Sequence, residues 1–246
     1  MHRFFIPPEQ ISAGRVSLTG EIAHQVGNVL RLHTGAHIAV LDDSGLEYRV
    51  ELEAVERTTV LGRVLESFPC PAEPQTRLTI YLGLTQREKF EYALQKCTEA
   101  GAAGFVPFIS SRTLLQDPAE AAKKLPRWQQ IVREAAEQSG RGRLPAVHPP
   151  LRWADALRHA ATKATRAFLL WEDEHTTPLR TALAGIPAGS SLAAVIGPEG
   201  GLSAAEAAEA TRAGCMAVSL GRRILRMETA ALAAVLLVLY QLGEME

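Results

Sequence analysis

The stretch VIGPEGGLSAAEAAEATRAGCMAVSLGRRILRMETAALAAVLLVLYQL, residues 195–242, decides the fold. The apolar run SLAAVIG that leads into it is long enough for a buried strand and too short for a helix. It ends at the loop Gly197-Pro198-Glu199-Gly200-Gly201. Ser203, followed three residues on by Glu206, has the pattern of a capping box and opens a helix. Gly214 suits the left-handed position that closes that helix. A second apolar strand, MAVSL, leads to the loop Gly221-Arg222-Arg223-Ile224-Leu225-Arg226, and a last apolar helix starts near Glu228. The order is strand, glycine loop, helix, strand, basic loop, helix. Two loops thus leave the same ends of two parallel strands, where open α/β sheets bind their ligands.

The same alternation extends upstream to Leu78. LTIYLGL, FVPFIS and RAFLLW read as strands. Thr85 with Glu88 forms a second capping-box pattern, Phe90, Leu94 and Cys97 make the apolar face behind it, and Gly101 ends the helix. Pro126 opens a helix carrying Trp128, Ile131, Val132 and Ala135, which Gly140 ends. Another helix, over 153–161, precedes RAFLLW. Repeated strand–helix units imply a parallel sheet covered on both faces. Residues 1–70 differ, with β-type runs at RVSLT, AHIAVLDD, EYRVELEAV and TTVLGRVLES and turn chemistry at Asp42-Asp43-Ser44-Gly45. Only EIAHQVGNVLRL interrupts them, with Ile22, Val26, Val29 and Leu30 at helical spacing. A small β-barrel with one helix fits. Pro69, Pro71 and Pro74 mark a linker, so the expected division is 1–70, a linker at 71–77, and 78–246.

A chain of 246 residues with 47% hydrophobic and 22% charged residues is expected to pack a core, and its net charge of −1 neither favours nor excludes nucleic acid. Cys70, Cys97 and Cys215 are odd in number, with no CxxC, which excludes a disulfide framework and a zinc ribbon and fits a reducing compartment. The seven histidines lack metal-ligand spacing, so no metal is expected. No basic-then-apolar leader opens the chain, and the apolar run at 230–242 falls short of the ~20 residues that span a membrane. A cytoplasmic protein is expected. Walker A, GxGxxG and GxSxG strings are absent, which ranks nucleotide hydrolysis, hydride transfer and serine hydrolysis low.

Five blocks in sequence order carry a resemblance. They are Thr85-Gln86-Arg87-Glu88-Lys89-Phe90-Glu91, Lys96-Cys97-Thr98-Glu99-Ala100-Gly101 (close to KxTELG), Glu137-Gln138-Ser139-Gly140-Arg141 (EQSxR), the GPEGG loop, and SLGRRILRMETA. Together they resemble the SPOUT methyltransferases, specifically the family that methylates N3 of a uridine in small-subunit (16S) ribosomal RNA. The opening Met-His-Arg-Phe-Phe and the segment His24…Val29-Leu30-Arg31 match that family's N-terminal domain, which resembles a PUA-type RNA-binding barrel. Ala100 replaces the more usual leucine, and Met227 stands where a small or hydroxylated residue is common. These departures bear on the shape of the cofactor pocket.

The resemblance implies an α/β fold: a C-terminal parallel-sheet SPOUT domain with a trefoil knot, preceded by a small PUA-like β-barrel. It implies S-adenosylmethionine as methyl donor, held by Leu170, Ile196, Gly197, Pro198, Gly200, Gly201, Leu220, Gly221, Ile224 and Leu225. It implies ribosomal RNA or the small ribosomal subunit as partner, contacted by Arg3, Arg31, Lys89, Arg141 and Arg223, and a homodimer without membrane or metal. The N3 proton has to leave, and Glu199 or Glu228 is expected to accept it. Arg226, or the partner subunit's Arg141, is expected to stabilise the negative charge that develops on uracil. Two other readings stay open: a SPOUT enzyme acting on another RNA position or a ribose 2′-hydroxyl, and a non-catalytic RNA-binding assembly factor. Plainer roles also stand beside these. Glu88 can be a cap, Phe4 and Phe5 core, and Arg141 a helix C-terminal cation; His24 and His148 fit structural roles best.

Overall fold

In the computed structural model, which describes residues 1–245, the chain divides into two compact units. One comprises Met1–Glu73 with Ala136–Leu144, the other Pro74–Ala135 with Pro145–Glu246.

The first unit contains β1 (Arg3–Phe5), β2 (Ile11–Ser12), β3 (Arg15–Thr19), α1 (Gly20–His24), β4 (His37–Leu41), β5 (Leu46–Val55) and β6 (Thr59–Pro69). Its sheet runs β1-β4-β5-β6-β3-β2, with β1 parallel to β4 and the other pairs antiparallel. Register shifts between Arg49 and Val50 and between Leu52 and Ala54 bend the two longest strands. Inward residues from both ends of the sheet meet in one core that includes Phe4, Leu18, Val40, Leu52 and Val60. A curled β domain is what the alternating pattern requires. Phe4 and Phe5 are both core residues, as their plainer reading held. The helical segment differs from expectation at one point. After α1 a π-helical turn covers Gln25–Val29, so Val26 is buried but Val29 is swung out to 62% exposure.

The sequence division places 136–144 with the C-terminal part, whereas its contacts are with the first unit. Phe5 N–H donates to the Glu137 carboxylate at 3.1 Å, Ala136 packs with Phe5 and Leu41, and Leu144 N–H donates to Asp43 at 2.6 Å. Helical periodicity cannot reveal that the end of a helix belongs to a different core.

The second unit contains β7 (Arg77–Gly83), α2 (Arg87–Glu99), β8 (Gly104–Ile109), α3 (Pro118–Ala122), α4 (Leu125–Ser139), β9 (Ala146–Val147), β10 (Leu151–Arg152) and α5 (Trp153–Lys163). Then follow β11 (Arg166–Leu170), α6 (Leu179–Ala182), β12 (Ser191–Ile196), α7 (Ala204–Arg212), β13 (Cys215–Val218) and α8 (Met227–Gln241). All its strands are parallel, in the order β10-β8-β7-β12-β11-β13, with β9 beside β8. Helices α5 and α7 cover the face bearing Tyr81, Val106, Leu169 and Val195. Their strand neighbours Ile80, Phe105, Phe168 and Ala194 are buried as well, so both faces are covered, as a parallel sheet demands. Helix α8 packs on α2, β7 and β12. The fold class read from the sequence is the one observed: an α/β parallel-sheet domain preceded by a curled β domain. The capping box at α7 forms, with Ser203 and Glu206 bonded reciprocally. The one expected at Thr85 and Glu88 does not. Leu84 N–H bonds Phe108 carbonyl at 2.9 Å and prolongs the extended chain, so Gln86 becomes the N-cap without a side-chain bond. Among the described residues no helix is long and apolar enough to cross a membrane.

Candidate active site

Strand β11 lies between β12 and β13, and Leu170 at its end pairs with both Ile196 and Val218. Three strands therefore end level with one another, and three loops rise from them. They enclose a cavity of about 590 Å³. Its floor is apolar, from Leu170, Ile196, Val218 and Met227, all buried.

The GPEGG loop is shaped by its glycines. Gly201 closes a turn onto Pro198 carbonyl at 2.8 Å with φ +68°, and a Cβ there would strike the Glu172 carboxylate. Arg112 donates to Gly200 carbonyl at 2.7 Å from the loop after β8. The basic loop is held by Ser219, whose N–H donates to Thr177 carbonyl at 2.9 Å and whose carbonyl accepts from Leu179 N–H at 3.0 Å. The third loop, after β11, is thereby tied to the second. Within it Glu174 accepts from Thr176 and Thr177; those hydrogen bonds hold its carboxyl below the ordinary carboxylate range.

All ten residues expected to hold the cofactor line this cavity, together with Glu199, Arg226, Lys89 and Arg223. Glu199 is paired with Lys89 at the rim, both side chains about one-third exposed. Glu228 stands in the first turn of α8 between cavity-lining Met227 and Ala230 but does not line the cavity itself. Its Oε2 is buried with no hydrogen-bond partner, as is the indole Nε1 of cavity-lining Trp171. Three other expected residues lie in the first unit. Arg3 pairs with buried Glu47 at 3.0 Å, and Arg31 is exposed with φ +51°. Arg141 is only 2% exposed; its guanidinium donates twice to Glu73, at 2.8 Å each, and the same carboxylate accepts from Gly142 and Arg143 N–H. That network holds Arg141 against its own segment.

Sequence reading missed the whole third loop, including Trp171, Glu172, Asp173 and His175. No periodicity marks it, and only its position after a strand could have. It also passed over Gly83, where a Cβ would lie 2.6 Å from Pro198 Cδ and 2.9 Å from Gly197 carbonyl carbon. A glycine inside an apolar strand signals such a close approach.

Level strand ends, glycine-bearing loops, an apolar floor and a rim of arginines define an α/β enzyme that holds a small organic cofactor and faces an anionic partner. The comparisons with known proteins sharpen this. A family model described as an RNA methyltransferase domain matches residues 71–239, and one described as an RNA methyltransferase PUA domain matches residues 18–65. The ribosomal RNA small subunit methyltransferase E of Bacillus subtilis (strain 168) is 35% identical over 249 residues, 98% of this chain and 97% of that protein. The crystal structure of a ribosomal RNA small subunit methyltransferase E from Neisseria gonorrhoeae bound to S-adenosyl methionine is 31% identical, with a TM-score of 0.86 over 98% of this chain and 97% of that one. A putative methyltransferase from Legionella pneumophila in complex with the same cofactor is 28% identical, with a TM-score of 0.79 over 97% and 96% of the two chains. The chain belongs to the RNA methyltransferase family, among the ribosomal RNA small subunit methyltransferases E.

Proposed function

We propose that this protein transfers a methyl group from S-adenosylmethionine to N3 of a uridine in 16S ribosomal RNA, acting in the cytoplasm as a homodimer. The observation that carries the reading is the cavity walled by three loops from level strand ends. Its residues fit the cofactor. The volume lies within the ~300–1,000 Å³ of small-molecule sites. Cavity-lining Gly221 has open space where a Cβ would stand, and the orphaned Trp171 Nε1–H beside the cavity lacks an acceptor. When bound, S-adenosylmethionine supplies a methyl group on a sulfonium, which departs as a neutral thioether.

The chain's own residues do the rest. Alignment of reactants in such a site is worth roughly 7–11 kcal/mol. Of the two candidate carboxylates only Glu199 lines the cavity, so it is the one within reach of an entering base. Lys89 pairs with it and holds it in place, and Glu199 accepts the proton from uracil N3. Arg226, the N-cap residue of α8 and part of the cavity wall, stabilises the negative charge spread onto the uracil oxygens. Exposed Arg222 and Arg223, with Arg31 on the first unit, suit phosphate contacts. The dimer is supported by α8, which buries Ala231, Ala234, Val235 and Val238 but leaves Leu237 46% and Tyr240 73% exposed. Isothermal calorimetry with S-adenosylmethionine tests the reading: micromolar binding is expected, and no binding would favour a non-catalytic RNA-binding role.

A further inference from the structure

A second cavity, of about 190 Å³, opens beside the loops that follow β7 and β8. Its floor is the ring pair Phe90 and Trp128, with centroids 4.7 Å apart and both side chains buried. Leu114 forms one wall and is 88% exposed. The loop that displays it is tied internally, Ser110 N–H donating to Thr113 Oγ1 at 3.0 Å and Gln116 Nε2 to Ser110 carbonyl at 3.1 Å. Gln86, exposed at the mouth, offers an amide that can both donate and accept. Arg87 and Lys124 also line it. Arg87 shares the Glu91 carboxylate with Arg127, and Lys124 has no ion pair among the described residues, so positive charge predominates.

This cavity is too small for the cofactor and suits a single planar ring system with a phosphate at its edge. It also adjoins the first one. The close approach of Gly83 to Pro198 brings the loops after β7 and β12 together. Lys89 lines the first cavity, while Gln86, Arg87 and Phe90 line the second, all within one turn of α2 or its cap. A helical turn rises only ~5.4 Å, a gap that neighbouring unstacked nucleotides bridge.

We propose that this second cavity receives an unpaired RNA base adjacent to the uridine presented to the first, its ring against the apolar wall and floor, its edge read by Gln86 and its phosphate held by Lys124. The proposal rests on the reading of the first cavity as the methyl-transfer site. It assigns the choice of sequence context to Gln86 and the positioning of the backbone to Lys124, both separate from the chemistry.

The test uses the full-length protein and single-stranded RNA oligonucleotides with one uridine, either intact or carrying an abasic residue on its 5′ or its 3′ side. Wild type is expected to bind the intact strand about tenfold more tightly than one of the two abasic strands. Gln86→Trp, at an exposed position, blocks the mouth; it is expected to bind all three strands equally and S-adenosylmethionine as wild type does. Equal affinity of wild type for all three strands overturns the proposal, as does discrimination that survives Gln86→Trp. A shift of Gln86→Trp from dimer to monomer in sedimentation overturns it too, by assigning the cavity to a contact between copies. Failure of wild type to bind S-adenosylmethionine strikes the methyl-transfer reading instead, and the base discrimination is then read independently.

Discussion

Gly83 sets how closely the GPEGG loop approaches the sheet, because the atoms a Cβ would meet there belong to the Gly197–Pro198 backbone and proline ring. Gly83→Ala is expected to cost about 1–3 kcal/mol of stability and to weaken S-adenosylmethionine binding at least about tenfold, measured by denaturation and calorimetry. Unchanged affinity would show that the loop position does not matter. The two acids separate in the same way. Single-turnover methyl transfer is expected to fall by about 100-fold or more in Glu199→Gln, which touches the cavity, and by less in Glu228→Gln. Equal losses would place both in the proton path, and near-wild-type rates in both would remove carboxylate catalysis. At this scale the sequence was informative where chemistry is local: an acid flanked by glycines in one loop and a group of arginines in another stood out. It was silent where a role depends on distant partners. Nothing near Arg141 in the chain announces that Glu73, 68 positions away, buries and holds it.

The elements are joined by a few carboxylates and rings. Glu206 caps α7 and also accepts Ser111 N–H at 2.8 Å, linking that helix to the loop after β8. Burial raises its carboxyl, but the hydrogen bonds from Ser111 and Ser203 outweigh this and leave it below the ordinary 4.5. Its contribution to stability is therefore complete above that value and is lost as pH falls below it. Glu206→Ala, which orphans two backbone donors, is expected to cost about 1–3 kcal/mol in urea denaturation at neutral pH. A second titration acts higher. His159 Nδ1 bonds Tyr81 hydroxyl at 2.7 Å, and the His148 ring lies edge-on to it at 5.2 Å. Burial and then Lys163 lower His148 from the ordinary 6.5, and burial, then the His148 imidazole and Lys163, lower His159. The unfolded chain then binds protons first, so stability is full above pH 6.5 and declines on acidification through the lowered values. His148→Gln is expected to flatten that slope between pH 7 and 5, and an unaltered slope would dismiss the pair as its source. The long elements were legible because apolar periodicity and glycine stops record them. Helices α3 and α6 and strands β9 and β10 were not, since two to five residues carry no period.

For the whole molecule, the two-part organisation could be read from the change of pattern after the prolines, but not the return of 136–144 to the first unit. The proposed dimer rests on α8, where Leu237 and Tyr240 are exposed beside buried Ala234, Val235 and Val238. Sedimentation at micromolar concentration is expected to show a dimer, and Tyr240→Asp is expected to shift it towards monomer. A monomeric wild type would leave the active site complete within one chain. The most direct test of the central claim is chemical. Small ribosomal subunits from cells lacking this gene are incubated with the protein and S-adenosylmethionine, and their RNA is digested to nucleosides for mass spectrometry. N3-methyluridine is expected to appear, and to be missing with Glu199→Gln. A methyl group found only on a ribose or on another base, or none at all, would contradict the account.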